Sequence, residues 1–418
     1  MHISRLAHRL QPLSILSFGG HTLSRQSAQR LGHTKVPSKK TSSIHSQDYY
    51  SKPLIRKTFQ MQKTSSLIKE LIIFKAINMP LSVPVATTIS TFTNHTIKPF
   101  AWLSKKLLNP FFNQFCVSGS LKDAIFHTSI HNIPYPIFDY IKEGSDKRID
   151  CEETMHHYLS MVQHQQVSQM AIKISGICPS SVLVEQDHQH PDFLWAQDQL
   201  NLLGKYAKKS NTTIYIDAES VSEQPLIDRL SHDLSLKYNQ VFIPTYQCTR
   251  NDTLSRIKHQ VEKLAIINSK IDLNLMFKCK LVKGAYDLDR DRFPDITNQT
   301  FEETHQNMEA IIDYFSSLTT INHHILVASH NPQIIQKAHE LPSFEIGNLK
   351  GMVIGSAITD RPVGVYVPFG FDPEPYTLRR FSENQSALGM TARRDALCRK
   401  ELTYRLSDTC NKLFSFFK

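Results

Sequence analysis

The chain has 418 residues, 40% of them hydrophobic, enough for one large core with extensions or for two domains. Its net charge of +10 suggests a nucleic-acid binder until the charge is located: residues 1–47 hold seven Lys/Arg and no acid, and subtracting those seven leaves +3 for residues 48–418. No basic stripe with interleaved aromatics remains, which argues against nucleic acid as a partner, and seven cysteines without CxxC or Cys/His ligand spacing support neither a disulfide framework nor a metal site.

In chain order, residues 1–47 space Arg5, Arg9, Arg25 and Arg30 among Leu, Ile, Ser and His. That composition is expected of a mitochondrial targeting leader, and no continuous apolar run of a secretory signal is present. Residues 48–114 read as an extension and linker. The apolar stretch from Leu67 to Val85 is broken by Lys69, Glu70, Lys75, Pro80 and Pro84, so it predicts an amphipathic helix and a proline-bearing linker, not a membrane span.

From about residue 115 onward, short β-branched runs alternate with longer polar stretches. The runs are Tyr135–Tyr140, Met170–Ile177, Thr212–Asp217, Gln240–Gln247, Leu275–Ala285, His324–Ser329, Phe344–Leu349 and Val363–Pro368. One exception to long separations is the gap between 329 and 344, where Pro332–Glu340 leaves room for only a brief helix. Eight strand–helix units over about 250 residues predict a closed (β/α)8 TIM-like barrel with parallel strands, with an open doubly wound sheet as the alternative.

A barrel gathers polar residues from the C-terminal ends of its strands at one mouth. The runs end, in order, with Asp139-Tyr140 and Glu143-Gly144; Lys173; Asp217-Ala218-Glu219; Thr245-Tyr246-Gln247; Lys280-Leu281-Val282-Lys283-Gly284-Ala285-Tyr286; Ser329-His330-Asn331; Asn348-Leu349-Lys350; and Tyr366. Each has a bland explanation alone: Asp217 as a helix cap, His330 as a satisfied core histidine, Lys173 as a snorkelling lysine. Their recurrence at the same end of successive strands points to a site. Beyond the last strand, Tyr376, Arg379, Arg380 and Glu383 fall at i, i+3, i+4, i+7 and share one face if helical, a suitable clamp for a small carboxylate. No Gly-x-Gly-x-x-Gly follows any run, which argues against a Rossmann-type nicotinamide domain.

These motifs together resemble the proline dehydrogenase family, in particular its eukaryotic mitochondrial type, from about Phe115 to the C-terminus. Lys280-Leu-Val-Lys-Gly-Ala-Tyr286 and Arg379-Arg-x-x-Glu-Asn384 are the most specific of them. The resemblance implies a distorted barrel over residues 115–418 that binds FAD, with its final helix over the mouth. It implies oxidation of L-proline to 1-pyrroline-5-carboxylate, electrons passed to quinone, and possible peripheral contact with the matrix side of the mitochondrial inner membrane. By the same resemblance, Arg379 and Arg380 grip the substrate carboxylate with Lys173 as a third positive charge, and Tyr286, Leu349, Tyr366 and Tyr376 wall the ring. Asp217, Ala218, Gln247, Lys280, Val282, Lys283, Gly284 and Ala285 hold the flavin, Ser329, His330 and Asn331 line its adenosine side, and Glu383 orients the arginines or touches the flavin edge. Asp217 and Lys280 are the expected catalytic pair, and Glu143 is a gate able to pair with Arg379.

Family members acting on hydroxyproline lack the phenol at the position of Tyr366, so Tyr366 favours proline. The alternatives are a hydroxyproline dehydrogenase and a flavin-free relative with a binding role. Two departures from the family pattern stand out: where the family has Gly-Gln-Leu-x-Gly-Met this chain has Asn348 and a charged Lys350, and the segment after Tyr286, which in the family helps cover the flavin, is short with shifted acids and bears on flavin affinity.

Overall fold

The computed structural model describes residues 49–77, 109–110, 112–238, 241–271, 274–284, 289–374, 376–377 and 385–416, the last segment by backbone alone up to 390. Five of the expected site residues, Ala285, Tyr286, Arg379, Arg380 and Glu383, lie outside these residues, as does the expected leader. Residues 49–418 form one compact unit.

Two helices open it, α1 (Lys52–Phe59) and α2 (Thr64–Ile77). Ser51 caps α1 by accepting from the Leu54 amide, and Pro53 sits in the first turn, where its missing N–H costs nothing. On α2, Leu67, Glu70 and Phe74 are buried, while Ile68 and Ile72 face outward. Among the described residues no helix is long and apolar enough to cross a membrane.

A two-residue strand β1 (Val117–Ser118) leads into α3 (Leu121–Ile130), which a Ser120/Asp123 capping box starts. The barrel strands are β2 (Pro136–Tyr140), β3 (Gln169–Ile172), β4 (Thr213–Ile216), β5 (Phe242–Gln247), β6 (Phe277–Val282), β7 (His323–Ala328), β8 (Phe344–Leu349) and β9 (Val363–Gly370). Each pairs in parallel with its successor, and β9 returns to β2 through Pro136↔Val365 to Tyr140↔Phe369, closing the ring. The strand β1 joins the end of β9 through Val117↔Phe369.

The crossover helices are α4 (Arg148–Val162), α5 (Ser180–Glu185), α6 (Pro191–Ser210), α7 (Gln224–Lys237), α8 (Thr253–Ile271), α9 (Asp289–Arg292), α10 (Phe301–Ser317) and α11 (Pro332–Lys337). A long helix, α12 (Gln385–Phe416), ends the chain and packs on α1 and α2.

The fold differs from the sequence expectation in detail. The run Met170–Ile177 does not continue as a strand; β3 stops at Ile172, and Ile174–Gly176 turns into a 3-10 helix. Gly176 allows this turn to close on the neighbouring loop, since a Cβ there would stand 2.9 Å from the Lys142 carbonyl. The last strand runs two residues beyond Pro368 because β1 gives its end a partner, and α1 lies in the segment that read as extension and linker.

Strand alternation sorts side chains between two environments. Ile137, Ala171, Tyr215, Ile243, Leu326 and Tyr366 point inward as one apolar layer, with Leu349 packed against it. The intervening residues, such as Phe138, Ile172, Ile216 and Phe242, pack outward under the helices. Two residues further along the same strands, the inward direction delivers Asp139, Lys173, Asp217, Thr245 and, from β6, Lys280.

Candidate active site

Above the apolar layer four charged groups alternate in sign. Lys173 Nζ donates to Asp139 Oδ1 at 2.5 Å and lies 3.5 Å from Asp217 Oδ2; Lys280 Nζ donates to Asp217 Oδ1. Lys280 also donates to the Tyr366 hydroxyl at 2.9 Å, with its ammonium 4.7 Å from that ring's centroid. Both lysines are buried, 1% and 4% exposed, so the carboxylates are what permit their charge to be there. Burial depresses Lys173, but Asp139 and Asp217 outweigh it and hold the ammonium above its ordinary range. Lys280 is depressed by burial, opposed by Asp217. Burial, with Asp217 nearby, raises Tyr366 far above the ordinary phenol range, so it is a neutral hydroxyl.

This arrangement corrects the electrostatic reading of Lys173. It is not a third uncompensated cation: two ammonium groups and two carboxylates make the cluster neutral. Asp139, which carried no assigned role in the sequence, is the principal counter-charge. The signal was present, since Asp139 follows the inward Ile137 by one strand period.

The other expected residues divide by location. Tyr376 is buried and interacts electrostatically with Lys173 and Tyr366, and Leu349 abuts the inner layer, so three of the expected ring-walling residues stand around the cluster. Ala218 is buried directly after Asp217. Gln247 Nε2 donates to the Glu219 carbonyl at 2.7 Å. Val282 ends β6, and Lys283 turns aside to donate to His305 Nδ1 at 2.6 Å. Burial lowers Lys283 to about 8.

On the next strand, Ser329 Oγ accepts from the Asn331 amide at 3.1 Å, and His330 Nε2 accepts from the Leu349 amide at 3.3 Å. Burial lowers His330 to about 4, leaving a neutral ring. Asn331 caps α11, accepting from Gln333 N at 2.9 Å and Ile334 N at 3.4 Å. Its side-chain oxygen is therefore occupied by the helix.

Asn348 is an internal hub: it donates to the Ser329 carbonyl at 3.0 Å and accepts from Ile354 N at 3.1 Å and Gly355 N at 2.7 Å. Lys350 turns away from the barrel axis to donate to the carbonyls of Asn113 and Gln114, at 2.5 and 3.0 Å. The shifted acid after Tyr286 also has a place. Asp289 accepts from Val221 N at 2.9 Å and Ser220 Oγ at 3.2 Å, tying the segment after β6 to the loop after β4.

Several buried polar atoms at the mouth have no hydrogen-bond partner among the described residues: Thr245 Oγ1, Gln247 Oε1 and Arg250 Nη1. Leaving such groups unsatisfied is costly, so they fit a polar ligand seated over β5. Thr245 and Arg250 were not assigned from the sequence; Thr245 follows the inward Ile243 by one strand period, whereas nothing local marks Arg250.

Glu219, also unassigned, links three loops. It accepts from Ser175 N at 2.9 Å and from Ser175 Oγ, which in turn accepts from Gly144 N at 3.0 Å beside Glu143. Gly144 has φ 62, which favours glycine in that turn. Burial, reinforced by Glu223, raises Glu219 to about 7 from 4.5. Between those values the folded state holds a proton the unfolded chain has lost, so stability falls as pH rises from 4.5 to 7 and levels off above. Glu219→Gln should flatten this decline, measured as Tm against pH; an unchanged slope across that window would remove Glu219 as its source.

The sequence matches the family described as proline dehydrogenase over residues 129–393. Proline dehydrogenase 1, mitochondrial, of Drosophila melanogaster is 29% identical over 242 residues, covering 50% of this chain and 35% of that protein. The Homo sapiens protein of the same name is 31% identical over 240 residues, covering 50% and 38%. Hydroxyproline dehydrogenase of Homo sapiens is 28% identical over 248 residues, covering 51% and 52%. The chain thus spans between a third and about half of the length of these relatives. Among solved structures, proline utilization A from Bdellovibrio bacteriovorus, inactivated by N-propargylglycine, matches with a TM-score of 0.58 at 16% identity. That match covers 80% of this chain and 39% of the other, and it is a likeness of fold.

Proposed function

The chain belongs to the proline dehydrogenase family, and from that premise we propose that it oxidises L-proline to 1-pyrroline-5-carboxylate with FAD as its cofactor. The observation that carries the reading is the buried Asp139–Lys173–Asp217–Lys280–Tyr366 cluster at the mouth of a closed parallel barrel, beside unsatisfied polar atoms on β5.

Gln247, Thr245, Arg250, Asp217, Ala218 and Lys280 would hold the flavin, together with Val282 to Ala285 and the Ser329–Asn331 loop. The flavin supplies the two-electron acceptor for the hydride leaving the substrate carbon. Arg379 and Arg380 are assigned to the substrate carboxylate, with Glu143 as the gate and Glu383 orienting the arginines. Because Asp139 and Asp217 neutralise Lys173, the arginines rather than Lys173 are assigned the positive charge that disfavours a protonated substrate amine, and the free amine is the form that can release hydride. Lys280, held by Asp217 and Tyr366, counters the negative charge that arrives with the electron pair. Lys173 keeps Asp217 oriented, and Tyr286, Leu349, Tyr366 and Tyr376 wall the ring.

Quinone as the electron acceptor and a mitochondrial location, on the matrix side of the inner membrane, complete the reading. The mitochondrial names of relatives and the acid-free basic leader support the location. The direct test is turnover of L-proline by the purified protein with a short-chain quinone; absence of the cyclic imine product would refute it.

Relatives of both kinds resemble the chain to a similar degree, so the choice against hydroxyproline rests on Tyr366. Lys280 fixes its hydroxyl at 2.9 Å and Tyr215 stands behind it, with ring centroids 6.3 Å apart, so the phenol has little room to yield. Extra ring volume would meet a packed wall at a cost of about 1–3 kcal/mol. Tyr366→Ser is expected to shift the kcat/KM ratio towards hydroxyproline by at least about tenfold, or ~1.4 kcal/mol. Equal losses on both substrates would reduce Tyr366 to a support of the pocket, and a wild-type preference for hydroxyproline would overturn the choice.

A further inference from the structure

The N-terminal extension and the C-terminal helix meet at a buried charge cluster that the proposed chemistry does not use. Arg394, on α12, is 8% exposed. Its Nε donates to Glu70 Oε1 at 2.6 Å and its Nη2 to Glu70 Oε2 at 3.4 Å, a forked pairing. Nη1 donates to the Val353 carbonyl at 2.6 Å, and Nη2 also reaches Gln62 Oε1 at 3.4 Å. Gln62 returns a bond to Glu70 Oε2 at 2.7 Å, and the guanidinium lies 4.4 Å from the Phe59 ring centroid. Burial pushes the Glu70 carboxyl up, but Arg394 outweighs it and holds the group below its ordinary range.

Three distant segments converge here. Glu70 and Gln62 belong to the extension, Val353 to the loop that follows Leu349, and Arg394 to α12. The adjacent Arg393 donates to the His330 carbonyl at 3.3 Å, so successive arginines fasten α12 to the loops after β7 and β8. The helix begins at Gln385, directly after the segment that carries Arg379, Arg380 and Glu383. At the other end of that segment Tyr376 and Thr377 are buried, with Thr377 Oγ1 donating to the Pro373 carbonyl at 2.7 Å. A buried guanidinium without a counter-charge is strongly unfavourable, so Glu70 is what lets Arg394 reach Val353.

We propose that Glu70 and Arg394 are positioning residues for the reaction: the N-terminal extension supplies the carboxylate that seats α12, and α12 holds in place the loops after β7 and β8, on which His330 and Leu349 stand. This rests on the reading that Leu349 walls the substrate ring. Neither residue touches substrate, so the effect should fall on substrate binding through distance and orientation, with the chemistry at saturation largely retained.

The test uses the full chain with Glu70→Gln, which keeps volume and removes charge, and the double variant Glu70→Met/Arg394→Met, which removes the buried pair together. Both should raise the KM for L-proline at least about tenfold while kcat falls less than about threefold. Hydrogen exchange should quicken in residues 349–354 and 391–394 of both, a readout that holds whatever the substrate proves to be. If Glu70→Gln fails to fold, the double variant decides. A folded variant with wild-type KM, or with unchanged exchange in both segments, overturns the proposal. A wild type that leaves L-proline untouched would instead fault the functional reading, and the exchange result alone would then judge the clamp.

Discussion

Replacing Asp217 with alanine is expected to abolish proline turnover and to lower thermal stability substantially. Asp217 is the carboxylate shared by two buried ammonium groups, and Lys280 has no other carboxylate within bonding reach among the described pairs. Breaking a buried pair by removing one partner typically costs about 3–5 kcal/mol. With an unfolding entropy of about 2.1 cal/mol/K per residue, a unit the size of Tyr49–Lys418 loses about 1.3 °C per kcal/mol, so the Tm should fall by about 5 °C. Asp217→Ala/Lys280→Met should regain much of that loss, because the stranded charge is gone and Lys173 keeps Asp139. It should regain no activity. Calorimetry of the two variants checks this, and an unchanged Tm in the single variant would mean that the cluster is not the electrostatic centre it is described as.

Arg379→Met and Arg380→Met should each raise the KM for L-proline by one to two orders of magnitude. A charge-assisted hydrogen bond contributes ~1.5–3 kcal/mol, and each ~1.4 kcal/mol is tenfold. Methionine keeps the length of the side chain and deletes its charge. A second effect should appear in the pH profile: with Lys173 neutralised by its own carboxylates, losing an arginine removes positive charge that disfavours the protonated amine of bound substrate, so the basic pH needed for kcat should rise. Wild-type KM in both variants would remove them from the substrate site.

The barrel was legible in the sequence because its signals are periodic. Strand β7 is an apolar run with polar residues at its C-terminal end, and strand alternation delivers Ile137 and then Asp139 to the same face. The short crossover after β7 was equally visible, since Pro332–Glu340 leaves room only for α11 and one further turn. What could not be read was pairing across the chain. Nothing local to Lys173 says that Asp139 and Asp217 neutralise it, so a list of basic residues overstated the positive field. The strand β1 is two residues long and exists only because β9 offers it an edge. Arg394 and Glu70 lie 324 positions apart, and each in isolation looks like a solvated helix residue. Asn348 and Lys350, departures from the family pattern by sequence, became intelligible only as a hub for the turn at Ile354–Gly355 and as a cap on the carbonyls of Asn113 and Gln114.

One spectrum tests the proposed flavin chemistry most directly. The purified protein, supplied with FAD and freed of excess, should carry the yellow flavin absorption, and adding L-proline without oxygen should bleach it within the time of turnover, with hydroxyproline far less effective. A protein that retains no flavin, or one whose flavin stays oxidised in saturating L-proline, would contradict the proposed function.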